Sequence, residues 1–561
     1  MRAFIRKIKQ GPFSHLLFML LLLSLLTWIT FKPLVFTNSD VGLRFIQIRS
    51  LIAQRWQTLA IPYPTEIDPE FKYVPYYYAY SLVNGRLYFN ISPFFPFLVS
   101  FLYAAMGAPG LVVVPVAGGV LTAWGMYKLA RLSQLERPLL LMWGTVFATP
   151  LLFYTAQLWD HTLGTGLAIS GMALAAQGMK GKERHVAVIG GILLGLSLGQ
   201  RPELYLFVIA LGVAWLWINW RERPMIFALL AGGIFGVLPI WLFQARWVGH
   251  PLGMATATNL LGYGRPEVYP IELDGYPRSV VVGHFLFHIQ ARDLVTFSAT
   301  IAALIGILLL VFVLRVASFQ KKSVFLLAAA CACWGYTIWA AIALTNMVTG
   351  LVSTFPLLGF SLAFVGVDPE EPERHLIYRF VWNTTLLYLV GMLLFWPAFG
   401  AKIWGSRYLL SSYPLLLYLA FYAAVAHCQH IPPSLHTTLR AIFSLLLVVS
   451  IGLQLMGWRF NYVTVRALAV ERDTVQSLPA DVVLTNVPFW APLVSSIDDK
   501  LFFYTPSEVD AELLLPQLYA HHVRRIAVVS LESEPLSLPN EIDGLTITQI
   551  GPLVYQLQVA D

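Results

Sequence analysis

At 561 residues, 57% hydrophobic and only 12% charged, with a mean hydropathy of +0.67, the chain carries more apolar surface than one soluble core can bury. A single globular domain in water is excluded, and an integral membrane protein is expected. The net charge of +7 is mostly a bias of Lys and Arg toward one side of the expected membrane, so nucleic acid is not a required partner.

Apolar runs near 16–36, 111–127, 139–156, 162–179, 186–199, 204–220, 225–245, 295–314, 324–344, 348–367, 380–397, 409–426 and 441–457 predict about thirteen transmembrane helices. The first run is too long for a signal core and lacks a small-residue cleavage site, so it reads as a retained anchor. Lys and Arg recur on one side of the alternating topology: before the first span, at Lys128, Arg131 and Arg137, at Lys180, Lys182 and Arg184, and on to Arg440. The positive-inside rule then puts the N-terminus in the cytoplasm and, with an odd number of spans, the C-terminus outside. Cys331, Cys333 and Cys428 all fall in apolar runs and read as packed thiols.

Three segments do not span. In the outer loop 37–110, Val41, Phe45, Ile48, Ile52, Trp56 and Leu59 recur at spacings of three or four, which predicts a helix lying flat in the headgroup zone. A Pro/Tyr-rich passage (61–80) follows, then an apolar stretch broken by Pro93 and Pro96 that predicts a second interfacial helix. The outer loop 246–294 is long enough to act as a lid. Beyond 457 the composition changes. DVVLTN (481–486), KLFFYT (500–505), RRIAVVSL (524–531) and a pair near 544–559 read as strands, with a helix at 508–522, so 458–561 is expected to be a small α/β domain outside the membrane.

Asp40 follows the first span and opens the flat helix. A carboxylate at the lipid–water boundary is costly unless a base is needed there; it also suits a helix N-cap. Arg44 lies one turn further on, Arg201 ends a span on the side where topology asks for no cation, and Arg407 precedes an inward-going span. Each is open to phosphate binding or to snorkelling into headgroups. His161, at a short outer turn beside Asp160, fits phosphate or acceptor contact as well as a satisfied interfacial histidine. His284 and His288 sit one turn apart without a third ligand, and a divalent metal is allowed but not required. Tyr76, Tyr77, Tyr78, Tyr80 and Tyr88 suit stacking on a sugar or an interfacial aromatic belt.

TNSDVGLRF (37–45), GRLYFNISPFFPFL (85–98), ATPLLFYTAQLWDHTLG (148–164), GLSLGQRPE (195–203) and WGSRYLLSSYPLL (404–416) together resemble motifs of the GT-C glycosyltransferases, a membrane enzyme superfamily that includes protein O-mannosyltransferases and the lipid A aminoarabinose transferase. The resemblance covers roughly 15–425 and implies a catalytic membrane domain over 1–457. It further implies an inverting transfer of a hexosyl or pentosyl unit from a polyprenyl phosphate to a glycan, lipid or protein acceptor at the outer face of the cytoplasmic membrane. Asp40 takes the place of the family's base; Arg44, Arg201, Arg407, His161 and Tyr408 are the candidates for substrate and phosphate. A phosphate leaves without a proton, so one carboxylate suffices, whereas glycosidases that expel a sugar alkoxide need two. Two departures stand out: Val41 replaces a frequent second acid, and Ile91 replaces a Lys usual two residues before the first proline of the second motif. A flippase for lipid-linked sugars and a non-catalytic envelope-assembly subunit are the competing readings.

Overall fold

The computed structural model describes residues 11–32, 35–76, 79–266, 277–286, 294–315, 321–345, 348–363, 372–397, 403–430, 433–494, 500–530 and 535–559. Tyr77, Tyr78, His288 and part of the expected lid lie outside them. The chain is mostly helical. Pro12–Thr30, Gly110–Leu132, Arg223–Val248, His375–Phe395 and His436–Ser477 are long and apolar enough to cross a membrane, and shorter apolar helices such as Pro138–Phe147, Glu203–Ile218 and Ser412–Val425 accompany them. Exposed Phe227, Phe235, Leu308, Phe325 and Phe395 give these helices outer faces that only lipid would solvate, so the protein is a membrane protein. Two runs read as single spans are broken. The run 139–156 divides into Pro138–Phe147 and Leu151–Thr155, and 348–367 into Leu351–Thr354 and Leu358–Leu362, because Pro150 and Pro356 remove a backbone donor at each break.

Two compact units make up the chain: Met1–Trp28 with Val112–Ile240 and Ile271–Asn461, and Ile29–Leu111 with Trp241–Pro270 and Tyr462–Asp561. In the first, close helix packing rests on small residues. A Cβ at Gly171 would meet the Gly190 carbonyl at 2.9 Å, and one at Gly190 would meet the Gly171 carbonyl at the same distance, so His161–Gly181 and Arg184–Leu198 touch backbone to backbone.

In the second unit the helix Ser39–Ala53 is capped by Asn38, whose side chain accepts from the Val41 amide at 3.1 Å; the capping role open to Asp40 belongs to the residue two positions earlier. The helix ends at Ala53, before left-handed Arg55 and Trp56, so the stripe does not continue to Leu59. It is also buried on its polar side: Arg44 is 1% and Gln47 3% exposed, so these residues off the apolar stripe are enclosed as well. A hairpin of β1 (Tyr80–Val83) and β2 (Arg86–Phe89) turns on Asn84 and Gly85, both at positive φ. Tyr80 and Tyr88 are buried in hydrophobic clusters, which takes them off any free stacking surface. The second short apolar helix, Phe94–Met106, forms where expected.

The tail forms a six-stranded sheet of β3 (Val482–Thr485), β4 (Leu501–Tyr504), β5 (Arg525–Val529), β6 (Glu541–Ile542), β7 (Leu545–Gly551) and β8 (Val554–Val559), in the order β4-β3-β5-β8-β7-β6. β3 pairs in parallel with β4 and β5, and Glu508–Ala520 is the helix between β4 and β5. The sheet's core takes in Ile67 and Tyr73 from the Pro/Tyr-rich passage, and the Tyr504 amide of edge strand β4 donates to the Tyr73 carbonyl.

Candidate active site

The first unit gathers charge around two tight turns. Trp159, Asp160 and His161 stand at the start of the buried helix His161–Gly181, and Gly199–Pro202 links Arg184–Leu198 to the helix that begins at Glu203. A Cβ on Gly164 would meet Gln200 Cβ at 3.2 Å and Arg201 Cγ at 3.5 Å, so the bare backbone there lets the two turns approach. Arg201 then lies between carboxylates: its Nε donates to Glu203 Oε1 at 3.0 Å, and its Nη1 is 3.5 Å from Asp160 Oδ1. Glu203 Oε1 is also 3.7 Å from His161 Nδ1. Burial by itself would lower the Arg201 pKa, but Glu203 and Asp160 outweigh it and hold the guanidinium above its ordinary value. With its side chain 10% exposed, Arg201 does not snorkel.

Arg407 and Tyr408 come from a 3-10 turn, Arg407–Leu409, ahead of the helix Ser412–His430. Gly405 has φ +67°, and the Ser406 amide donates to the Tyr413 hydroxyl at 3.1 Å, which fixes the entry to the turn. The Tyr388 hydroxyl donates to the Tyr408 carbonyl at 2.7 Å. Both guanidinium groups face the Tyr408 ring, Arg407 at 4.9 Å and Arg201 at 5.5 Å from its centroid, and Arg407 also lies 5.8 Å from the Trp159 ring. Arg201, Arg407, His161 and Tyr408 therefore form one cluster, with Trp159 packed edge-on against His161 at 4.7 Å.

Around this cluster, Tyr154 Oη, Trp159 Nε1, Thr162 Oγ1, both amide atoms of Gln200, Glu203 Oε2 and Ser406 Oγ are buried without a hydrogen-bond partner among the described residues. So many orphaned donors and acceptors in one place call for water or a polar ligand to complete them.

Asp40 and Arg44 belong to the second unit. Asp40 is half-buried in the first turn of its helix, and Arg44 turns its Nη1 back to the Asp40 carbonyl oxygen at 2.6 Å. The buried guanidinium of Arg44 therefore ties down the backbone of the candidate base instead of reaching into headgroups. Val41 is 2% exposed, so an acid at that position would be buried. His284 lies on the helix Arg278–Leu286, and among the described residues no three His, Cys, Asp or Glu gather as a metal-binding group.

No protein-family model and no curated protein matches the sequence. Among solved structures the chain is similar to ArnT from Cupriavidus metallidurans bound to undecaprenyl phosphate, at 12% identity over 98% of each chain with a TM-score of 0.53. The fold is GT-C-like. ArnT in the apo state gives a TM-score of 0.48 at 12% identity over 98% of each chain; the Archaeoglobus fulgidus oligosaccharyltransferase in complex with Zn and sulfate gives 0.46 at 12% identity, over 91% of this chain and 67% of that one.

Within this GT-C-like fold, sequence reasoning passed over Glu203, Gln200, Tyr154 and Trp159. All four stand inside the motif stretches 148–164 and 195–203, and Glu203 was hidden by its look of an ordinary acidic first-turn residue after Pro202.

Proposed function

We propose that the protein is an inverting glycosyltransferase that moves a hexosyl or pentosyl unit from a polyprenyl phosphate to an acceptor hydroxyl at the outer face of the cytoplasmic membrane. The observation that carries this reading is the pairing of Arg201 and Arg407 over the one Tyr408 ring, beside buried polar atoms that await partners. Backbone likeness to an enzyme whose structure holds undecaprenyl phosphate supports a lipid phosphate as donor. In the reaction the acceptor oxygen attacks the anomeric carbon, its proton passes to Asp40, and the bond to the phosphate oxygen breaks. The leaving phosphate keeps the electron pair. Arg407 and Arg201 stabilise that charge, with Tyr408 and His161 ordering them and Arg44 fixing the Asp40 backbone. The domain 458–561 stands outside the membrane, beside about thirteen spans in 1–457.

The test uses the purified full-length protein in nanodiscs, a library of undecaprenyl-phosphate sugars, and release of undecaprenyl phosphate as readout. Asp40→Asn should lower turnover at least about 100-fold and leave binding of undecaprenyl phosphate within about twofold. Arg407→Gln should weaken that binding about tenfold or more. Sugar transfer unaffected by Asp40→Asn, or lipid scrambling with no transfer at all, rejects the proposal; the second outcome favours a flippase.

A further inference from the structure

The helices that leave the candidate active site meet again around a second opening. Phe421, Ala424 and Val425 on Ser412–His430 line a cavity of about 330 Å³ with His436, Leu439 and Arg440 on Pro433–Ser477 and with Arg137 and Leu140 near the start of Pro138–Phe147. From Ser412 to Val425 the first helix advances about 20 Å. The second helix gives an independent measure: Gln454, which accepts from Trp404 Nε1 at 3.1 Å near the Gly405 turn, is likewise about 20 Å along the axis from Arg440. That distance is a large part of the roughly 30 Å hydrocarbon core of a bilayer, so the cavity lies toward the opposite membrane boundary from the Arg201–Arg407 cluster.

Its lining is divided by chemistry. Phe421, Leu439, Phe443 and Leu447 are buried and form an apolar wall. Arg137 and Arg440 are exposed; with Glu136 as the only acidic residue among the described residues of the lining, the polar part is net positive. Leu140, Leu445 and Val448, at 40%, 52% and 64% exposure, turn neighbouring apolar surface outward, where acyl chains would cover it. A soluble phosphate ester would leave the apolar wall unused, and a neutral lipid would leave the two guanidinium groups without a counter-charge.

We propose that this cavity binds an anionic phospholipid of the leaflet opposite the candidate active site, with the phosphate against Arg137 and Arg440 and an acyl chain along Phe421, Phe443 and Leu447. The inference is independent of the transferase reading, since neither arginine takes part in it.

The experiment is native mass spectrometry of the delipidated full-length protein, titrated with phosphatidylglycerol or with phosphatidylcholine of the same chains. Phosphatidylglycerol should bind about 25-fold more tightly. Arg137→Gln with Arg440→Gln should bring it to the phosphatidylcholine level, each arginine accounting for about fivefold. Ser444→Trp, which fills the cavity without changing charge, should weaken both lipids; if the double variant does not fold, this variant alone decides. Equal affinity for the two lipids, unchanged binding by the folded double variant, or unchanged binding by Ser444→Trp overturns the proposal. So does displacement of phosphatidylglycerol by millimolar inorganic phosphate that itself binds, which would make the cavity a soluble-anion site.

Discussion

Glu203 holds Arg201 with one carboxylate oxygen and lies near His161 with the same atom, at 3% exposure. Glu203→Gln keeps the shape and removes the charge, leaving Asp160 as the carboxylate beside a buried guanidinium. Breaking a buried pair in this way costs about 3 kcal/mol. The variant should therefore melt several degrees lower in detergent, with binding of undecaprenyl phosphate altered rather than only slowed turnover. Gly42 offers a second test. A Cβ there would lie 2.0 Å from the Pro492 carbonyl oxygen, so Gly42→Ala must push the helix carrying Asp40 away from Ala491–Val494, at a cost of about 1–3 kcal/mol. A thermal melt checks it. That contact gives a physical reason for Gly42 after Asp40, and burial at 2% exposure gives one for Val41: both positions are used for packing. Arg201 was legible because a cation at a span end had no topological reason to be there. Asn38 was not, because Asn38 and Asp40 both fit a cap and only backbone geometry chooses between them.

The β1–β2 hairpin was written in Asn84-Gly85, the strongest short hairpin signal, and was overlooked inside a passage read as loop. The stripe from Val41 to Ile52 was read as helix, but its stop at Ala53 depends on left-handed backbone at Arg55 and Trp56, residue types that announce nothing of the kind. The strands of the tail were placed to within a few residues because alternation and β-branching are local signals. Their docking with 61–76 was not, since it depends on contacts distant in sequence. Lys72 makes part of that docking, with Nζ 3.1 Å from Asp510 Oδ1 on the helix Glu508–Ala520. Burial works against its charge, but hydrogen bonds to Asp510 and Tyr73 raise its pKa above the usual lysine value. A raised lysine stabilises the fold fully below its unfolded pKa and stops doing so as pH rises through the folded one. The melting difference between wild type and Lys72→Met should thus be present near pH 8 and be lost as pH rises past the ordinary lysine range, and because Lys72 is solvent-screened it should stay under about 1 kcal/mol.

At the scale of the molecule, the hydropathy pattern declared a membrane protein and the scattered motifs a GT-C-like course, both from composition and short words. The share of the sheet's core supplied by the segment 61–76 had no such signal: Ile67 is 6% and Tyr73 4% exposed, packed with Leu484, Phe503 and Leu514. The tail 462–561 made without that loop should expose this surface and lack a cooperative unfolding transition. Within the intact protein, Tyr73→Ala should cost about 3 kcal/mol, seen as faster proteolysis of the tail. The order of synthesis adds a constraint. A ribosome working at about 5–20 residues per second delivers Ile67 tens of seconds before Leu484 emerges. Through that interval the segment's apolar side chains wait without their partner sheet, so a messenger cut short late in the reading frame would yield a chain inserted in the membrane yet sticky where that segment lies bare, a marked target for quality-control proteases.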